Sequence, residues 1–271
     1  LGAELAEVKS DTNMCLLRVI PNEPEAANQT LHHIQESHQY ILEKFIHYAV
    51  ERNVPLYSKT VTADSQTTGI SEEIRSNNNV RLMLFNWPKE EADQRELSET
   101  IDQLAKSGIV NIGVLYDKGL TKFDNILVPV GGGYHSKLAI HVANDLTALN
   151  KGHVDYLRVV EPDTPEEVYE DQMAFLQEVV MTELSNIPGN AGLHLIRGDA
   201  PDQAIIDEAN DRDYDLLIIG SNEADDTNQP LFGSVVAHVA SQAECSTLVI
   251  RQHESAASSW LRRQLKPANK G

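Results

Sequence analysis

The sequence predicts an α/β protein built as two tandem, doubly wound parallel sheets of five strands. Three observations carry that prediction. Short apolar runs alternate with amphipathic segments of helical length, the pattern of strands buried on both faces and joined by helical crossovers. The same programme runs through twice along the chain. One run, Leu216 to Ile219, stops at Gly220 and opens into a polar loop that closes at Gly233-Ser234, where a short helix starts with apolar residues at 235, 236, 239, 240 and 243.

In chain order, Leu1 to Val8 has helical apolar spacing, Cys15 to Ile20 reads as a strand stopped by Pro21, and Asn28 to Val50 reads as a long helix with Leu31, Ile34, Ile41, Phe45 and Tyr48 on one face. Strands are expected over Val54–Val61, Val80–Phe85 and Val110–Tyr116, with helices over Ile70–Arg75 and Glu96–Lys106 between them. Lys118-Gly119 reads as a linker. The second half gives a strand over Asn125–Val130 that runs into Gly131-Gly132-Gly133, then helix 137–149, strand 154–160, helix 165–184, strand 193–197, helix 203–209, the Leu216 strand and a last strand over Ser246–Arg251. The expected organisation is a domain over 1–120, a second over 121–252 and a basic tail over 253–271.

The halves answer one another. Leu17-Arg-Val-Ile20 matches Leu157-Arg-Val-Val160 at an offset of 140, Arg81 to Phe85 matches Asp215 to Ile219 at 134, and Val110 to Leu115 matches Cys245 to Ile250 at 135. The partner of strand Asn125–Val130 would fall before Leu1, so the first sheet is expected to lack its first, central strand. The start at a leucine within a helical pattern reads as a cut from a longer protein.

Forty-one acidic residues against 22 basic ones give a net charge of −19, which repels a phosphate backbone and argues against nucleic acid as a partner. Two cysteines, Cys15 and Cys245, sit at apolar strand positions and read as reduced thiols rather than a disulfide, which points to a reducing, cytoplasmic setting. No apolar run reaches membrane-spanning length.

These residues carry a resemblance. The second half resembles the universal stress protein family, over 122 to 251, and the resemblance implies five-stranded sheets in the order 3-2-1-4-5. Members that bind ATP have Gly-x2-Gly-x9-Gly-Ser/Thr after the fourth strand; here the register gives Gly220, Glu223 and Gly233-Ser234, with Ile126-Leu-Val-Pro-Val130 and Cys245 to Ile250 as the matching flanking strands. The second glycine is replaced by Glu223, and Gly131 stands where the family places an aspartate on the nucleoside. In the first half Asn86-Trp87 replaces the first glycine and Ser98-Glu99 stands in place of Gly-Ser. The glycine run, Gly-Ser-Asn-Glu and Leu231-Phe-Gly-Ser also look like the tandem domains fused behind amino-acid permease and cation–chloride cotransporter membrane segments.

The candidate site is therefore Gly131, Gly132, Gly133, Gly220, Glu223, Gly233 and Ser234. Successive N–H groups of a glycine turn and of a helix start form an anion nest, although a flexible turn and a serine that caps its own helix are the plain alternatives. No cofactor is certain, and an adenine nucleotide is the one the resemblance implies. Glu223, with Asp225 and Asp226, puts negative charge where phosphates would lie. His32, His33 and His38 lack metal-ligand spacing, and His135 and His238 have no serine–acid partners in the sequence, so neither a metal nor a catalytic set is expected. Arg18 and Arg158 read as ion-pair partners of the acidic surface. The basic tail, with Trp260, Leu261 and Leu265 among Arg262, Arg263 and Lys266, reads as a solvated end or a contact for an anionic surface. The expected function is a non-enzymatic cytosolic regulatory and dimerisation domain of a secondary transporter, partnered by that transporter's membrane domain in the same longer chain. The alternative is a free-standing tandem universal stress protein that binds ATP. A homodimer is expected through the apolar last strand, Ser246–Arg251.

Overall fold

In the second half of the chain the carboxyl ends of five parallel strands lie along one edge, and every connection between them passes through a helix. A computed structural model describes residues 1–8, 12–22, 42–77, 79–221 and 232–253. The first half holds α1 (Gly2–Glu7), β1 (Met14–Pro21), a helix over 42–51 (α2), β2 (Leu56–Ala63), α3 (Gln66–Ser76), β3 (Leu82–Asn86), α4 (Glu91–Ser107) and β4 (Asn111–Tyr116). The second holds β5 (Asn125–Pro129), α5 (Tyr134–Asn150), β6 (His153–Val160), α6 (Glu166–Leu184), β7 (Ala191–Arg197), α7 (Pro201–Asp211), β8 (Leu216–Gly220), α8 (Ser234–Gln242) and β9 (Ser246–Arg251).

The second half has the expected order. Its strands lie β7-β6-β5-β8-β9, all parallel, which is 3-2-1-4-5. Leu216 to Ile219 are buried throughout, as an uninterrupted apolar run in a sheet covered on both faces requires. Alternate residues feed opposite layers: Ile126 and Ile218 pack with Ala139 and Ile140 of α5, while Leu127, Leu217 and Ile219 pack with Val236 and Val239 of α8.

The first half departs from a second five-stranded sheet. Its strands fall into two parallel pairs: β1 with β2 as a separate sheet, and β3 with β4. The latter pair joins the second half, because β4 runs antiparallel to β9, with Val114 opposite Val249. The result is one seven-stranded sheet, β3-β4-β9-β8-β5-β6-β7. This overturns the reading of Ser246–Arg251 as an open edge: β9 has β8 on one side and β4 on the other, so its apolar run is interior rather than a surface for a second copy. Of the long helix expected over 28–50, residues 28–41 lie outside the described residues, as does the tail beyond His253.

Lys118-Gly119 is not a free linker either. Ile70, Ile101 and Val114 share a core layer with Leu127, Leu217 and Val236, so the halves have no separate interiors on that face. The Lys118 ammonium donates to Ala240 O, Ser241 O and Ala243 O at the end of α8, and its N–H donates to Ser246 Oγ at 2.9 Å. A cation on the unsatisfied carbonyls at a helix C-terminus adds about 0.3–1 kcal/mol at the surface and up to ~2 when partly buried. Lys118→Ala is therefore expected to lower unfolding stability by about 1 kcal/mol. Urea denaturation followed by circular dichroism would register it as a lower midpoint with an unchanged slope.

Candidate functional site

The chain winds outward from β5 to β7, then returns to β8 and β9 on the other side of β5, so the switch point of the sheet lies between the carboxyl ends of β5 and β8. Open α/β sheets offer ligands a crevice at such a point. Two helices start there on opposite faces. α5 follows Gly131–Gly133 with Gly133 as its N-cap, and α8 follows Gly233; neither has a side-chain cap. Ser234 is thus the first helical residue, exposed, and not the cap that its sequence position suggested. A glycine cap has no side chain to accept from the first turn, and the positive end of each helix dipole lies at its start.

The glycines divide into two kinds. Gly132 (φ +79°) and Gly233 (φ +85°) hold left-handed backbone that L side chains rarely adopt. Gly132 also lies under the Phe175 ring of α6, where a Cβ would come within 2.7 Å of Cζ. Gly220 is required for a different reason: a Cβ there would lie 2.8 Å from the His135 carbonyl carbon and the Ser136 nitrogen, so only glycine lets α5 approach β8. Gly131 and Gly133 have open space at their Cβ positions. Packing alone accounts for Gly132 and Gly220. Glu223, Asp225 and Asp226 lie outside the described residues.

The first turn of α5 is tied to the end of β9. His135 is buried and its Nδ1 accepts from the Gln252 N–H at 3.0 Å, which fixes the other ring nitrogen as the protonated one in the neutral form. Tyr134 OH donates to His253 O at 3.1 Å, and the His253 N–H in turn donates to Asn111 Oδ1 of β4 at 2.7 Å. Ser136 folds back, its hydroxyl donating to Gly133 O at 2.6 Å.

Arg158 corrects the expectation of an ion pair. Its NH1 donates to Val130 O at 3.2 Å, its Nε donates to Gln172 Oε1 at 2.7 Å, and its guanidinium lies 4.5 Å from the centre of the Phe175 ring. Burial lowers its pKa from the usual arginine value. A carbonyl, an amide and an aromatic face replace the carboxylate that the acidic composition suggested.

Sequence spacing missed two constellations. His238 of α8 does have an acid: its Nδ1 lies 2.7 Å from Asp202 Oδ2 in the first turn of α7, and that hydrogen bond holds the Asp202 carboxyl below its ordinary pKa. The two groups are far apart in sequence, so only the fold brings them together. Near the opposite, amino end of the sheet, Asp155 of β6 accepts from His153 Nε2 (2.9 Å), His194 Nε2 (2.7 Å) and Tyr214 OH (2.8 Å). Burial pushes the Asp155 pKa up, but the three hydrogen bonds together outweigh it and the net shift is downward. An aspartate inside an otherwise apolar strand was the available signal. Cys15 and Cys245 are free thiols, as expected.

The corresponding position in the first half is closed. Trp87 follows β3, its N–H donating to Leu115 O at 2.8 Å, and its ring stacks on Tyr116 at 4.9 Å and 21°. α4 starts already at Glu91, so Ser98 and Glu99 lie inside a helix rather than at the mouth of a loop. No glycine-rich turn intervenes between β3 and α4.

Comparison with known proteins agrees with this division. Residues 122–251 match the universal stress protein family. Over 93% of the chain the fold is similar to that of a universal stress protein from Archaeoglobus fulgidus, with a TM-score of 0.62, 14% identity and 91% of that chain covered. The cytoplasmic domain of a prokaryotic cation chloride cotransporter is similar over 94% of this chain and 92% of its own, with a TM-score of 0.55 and 13% identity. A putative universal stress protein from Pseudomonas aeruginosa gives 0.59, 14%, 92% and 86% for the same measures. Among the described residues no helix is long and apolar enough to cross a membrane. Residues 122–251 thus match the universal stress protein family, and the chain as a whole has a fold similar to those of universal stress proteins, with its strands only partly grouped as in two five-stranded sheets.

Proposed function

We propose that the chain is a non-enzymatic regulatory module of a secondary transporter, held on the cytosolic side in one polypeptide with the membrane domain, and that it binds nucleotide weakly or not at all. The observation that carries this reading is the end of β9. His253 is bonded both to Tyr134, in the first turn of the helix that opens the crevice, and to Asn111 of the first half. A change in that helix start therefore bears directly on the packing of the other half, which is what a reporter needs and a simple ligand carrier does not. The likeness to a cotransporter's cytoplasmic domain supports the transporter setting. The likeness to universal stress proteins supports the alternative, a free-standing tandem protein that binds ATP. In this reading Asp202–His238 clamps α7 to α8 and catalyses nothing. Self-association of the whole chain belongs to the proposal too, through a surface other than β9.

Two measurements separate the readings. Upstream coding sequence that encodes membrane spans supports the transporter module, and an upstream region without them favours the free-standing protein. For the crevice, Glu223→Gly removes one negative charge and restores the glycine of the ATP-binding pattern. It is expected to strengthen ATP binding at least tenfold, about 1.4 kcal/mol, in titration calorimetry. Tight ATP binding by the native chain would move the assignment to the alternative.

A further inference from the structure

We propose that α6 carries a docking strip for a segment of the same chain, residues 254–271: the apolar side chains of that segment cover Val168 and Phe175, and its basic groups meet the acidic residues beside them. One flank of the helix presents the strip. Leu176 and Val180 are buried, and Tyr169, Met173 and Val179 pack against the core, yet Val168 is 42% and Phe175 37% exposed. Seven residues is close to two helical turns, so the two share one line along the surface. Asp171 and Glu178, both exposed, repeat that spacing three residues on, which sets an acidic line directly beside the apolar one.

The acid on this side is unanswered. α6 contains six carboxylates and no lysine or arginine. Among the described residues Glu183 meets Lys137 and His141, and Glu166 meets Arg197, whereas no cation meets the side chains of Glu167, Glu170, Asp171 or Glu178. Residues 254–271 have the complementary make-up. Four basic residues, Arg262, Arg263, Lys266 and Lys270, against one acid, Glu254, give the segment a net charge of +3 in a chain whose total is −19. Trp260, Leu261 and Leu265 lie among them. A strip that joins exposed apolar groups to carboxylates fits this segment, and it repels an anionic lipid surface.

The fold brings the segment to the strip. His253, the last described residue, accepts at its carbonyl from Tyr134 OH in the first turn of α5. Gly132, two residues before Tyr134, lies against the Phe175 ring. The chain therefore leaves β9 close to the Phe175 end of the strip. Trp260 is seven residues beyond His253, a reach of about 23 Å when fully extended, whereas Val168 and Phe175 are only about 10 Å apart along the helix. Exposed ion pairs contribute little and are screened by salt, so the apolar cover supplies most of the attraction and the charges set the register. Both partners belong to one chain, at an effective concentration of about millimolar, so a weak contact is enough.

Acrylamide quenching of Trp260 fluorescence tests this on the whole chain, with the Trp87 signal taken from the Trp260→Phe variant and subtracted. Trp260 is expected to be quenched at least about threefold less readily in the chain than in a synthetic peptide of residues 254–271. Val168→Asp, and separately the pair Asp171→Lys with Glu178→Lys, should each bring it to the peptide's value. Adding Arg262→Glu and Arg263→Glu to the lysine pair should restore at least about half of the protection, which a merely disrupted α6 would not allow. Equal quenching in native chain and peptide would overturn the proposal. Protection that survives both Val168→Asp and the lysine pair would overturn it as well, because the segment would then lie elsewhere. Protection lost on about hundredfold dilution would assign the contact to a second copy. Protection seen only with vesicles of phosphatidylserine and phosphatidylcholine would assign it to a membrane, and either of these results would overturn the proposal.

Discussion

Replacing Asp155 with alanine is expected to lower the stability of the fold by about 3 kcal/mol. Hydrogen bonds to charged groups contribute roughly 1.5–3 kcal/mol each, and loss of the acceptor leaves donors to find water. Asp155 accepts three, from His153, His194 and Tyr214. The two imidazoles are partly exposed and can be rehydrated, so the full sum is not reached, but the Tyr214 hydroxyl lies in a buried residue and loses its partner. Gly192 of β7 marks how closely the site is fitted, since a Cβ there would run into Asp155 Oδ1 and His194 Nε2. Asp155→Asn keeps the shape and one acceptor oxygen, and is expected to recover about half of the loss. The two variants also differ from the native chain in acid. A carboxyl whose folded pKa is depressed contributes stability that is present above its unfolded pKa, about 3.9, and is lost as pH falls through the folded value. The stability gap between the native chain and Asp155→Asn should therefore shrink as pH falls from about 4 toward 2. Urea titrations at several pH values would show it, and a gap that widens in acid would refute the account.

Gly220→Val is expected to destabilise the chain by about 3 kcal/mol and to open the start of α5. Overpacking a well-filled interior costs typically 1–3 kcal/mol, and more when the obstruction is backbone that cannot rotate away. Here the obstruction is the main chain of His135 and Ser136. Movement of that turn away from β8 strains the bonds from Gln252 and Tyr134 that tie α5 to the end of β9. Gly131→Ala is the control: its Cβ meets nothing within 4 Å, so a change of less than about 1 kcal/mol is expected. Thermal unfolding of the pair would compare them, with Tyr near-ultraviolet circular dichroism reporting on Tyr134. Equal losses in the two variants would mean that the glycines act through chain flexibility rather than close approach.

How much of this was readable beforehand depended on whether the cause was local. The strands of the second sheet were readable from runs such as Leu216–Ile219, because four consecutive apolar residues bounded by a glycine suit a strand covered on both faces, whereas their order came with the family resemblance. The repeat located β1 and β3 without any structure. The partner of β9 was not readable, since Ser246–Arg251 would show the same unbroken apolar pattern whether its far side met solvent-exposed copies or β4 of its own chain. Composition misled at Arg158: an excess of acid across the whole chain says nothing about which groups reach one guanidinium. Asp155 illustrates the same limit, because its three donors come from β6 itself, β7 and Tyr214, two residues before β8. Of the candidate site, Gly220 and Gly132 have structural reasons that the spacing could not supply, the close approach of α5 and of Phe175, and Gly233 holds left-handed backbone.

The antiparallel seam between β4 and β9 has a consequence for how the molecule responds to its own abundance. Two separate subunits joined by such a seam would obey mass action and part company on dilution, so their paired fraction would follow expression level. Here both strands belong to one chain, and the local concentration of one for the other is set by the connection at Lys118-Gly119 and not by the number of molecules in the cell. The seam is therefore as complete in a scarce protein as in an abundant one. A protein of this construction can register a change at one end of the seam without also registering how many copies of itself are present.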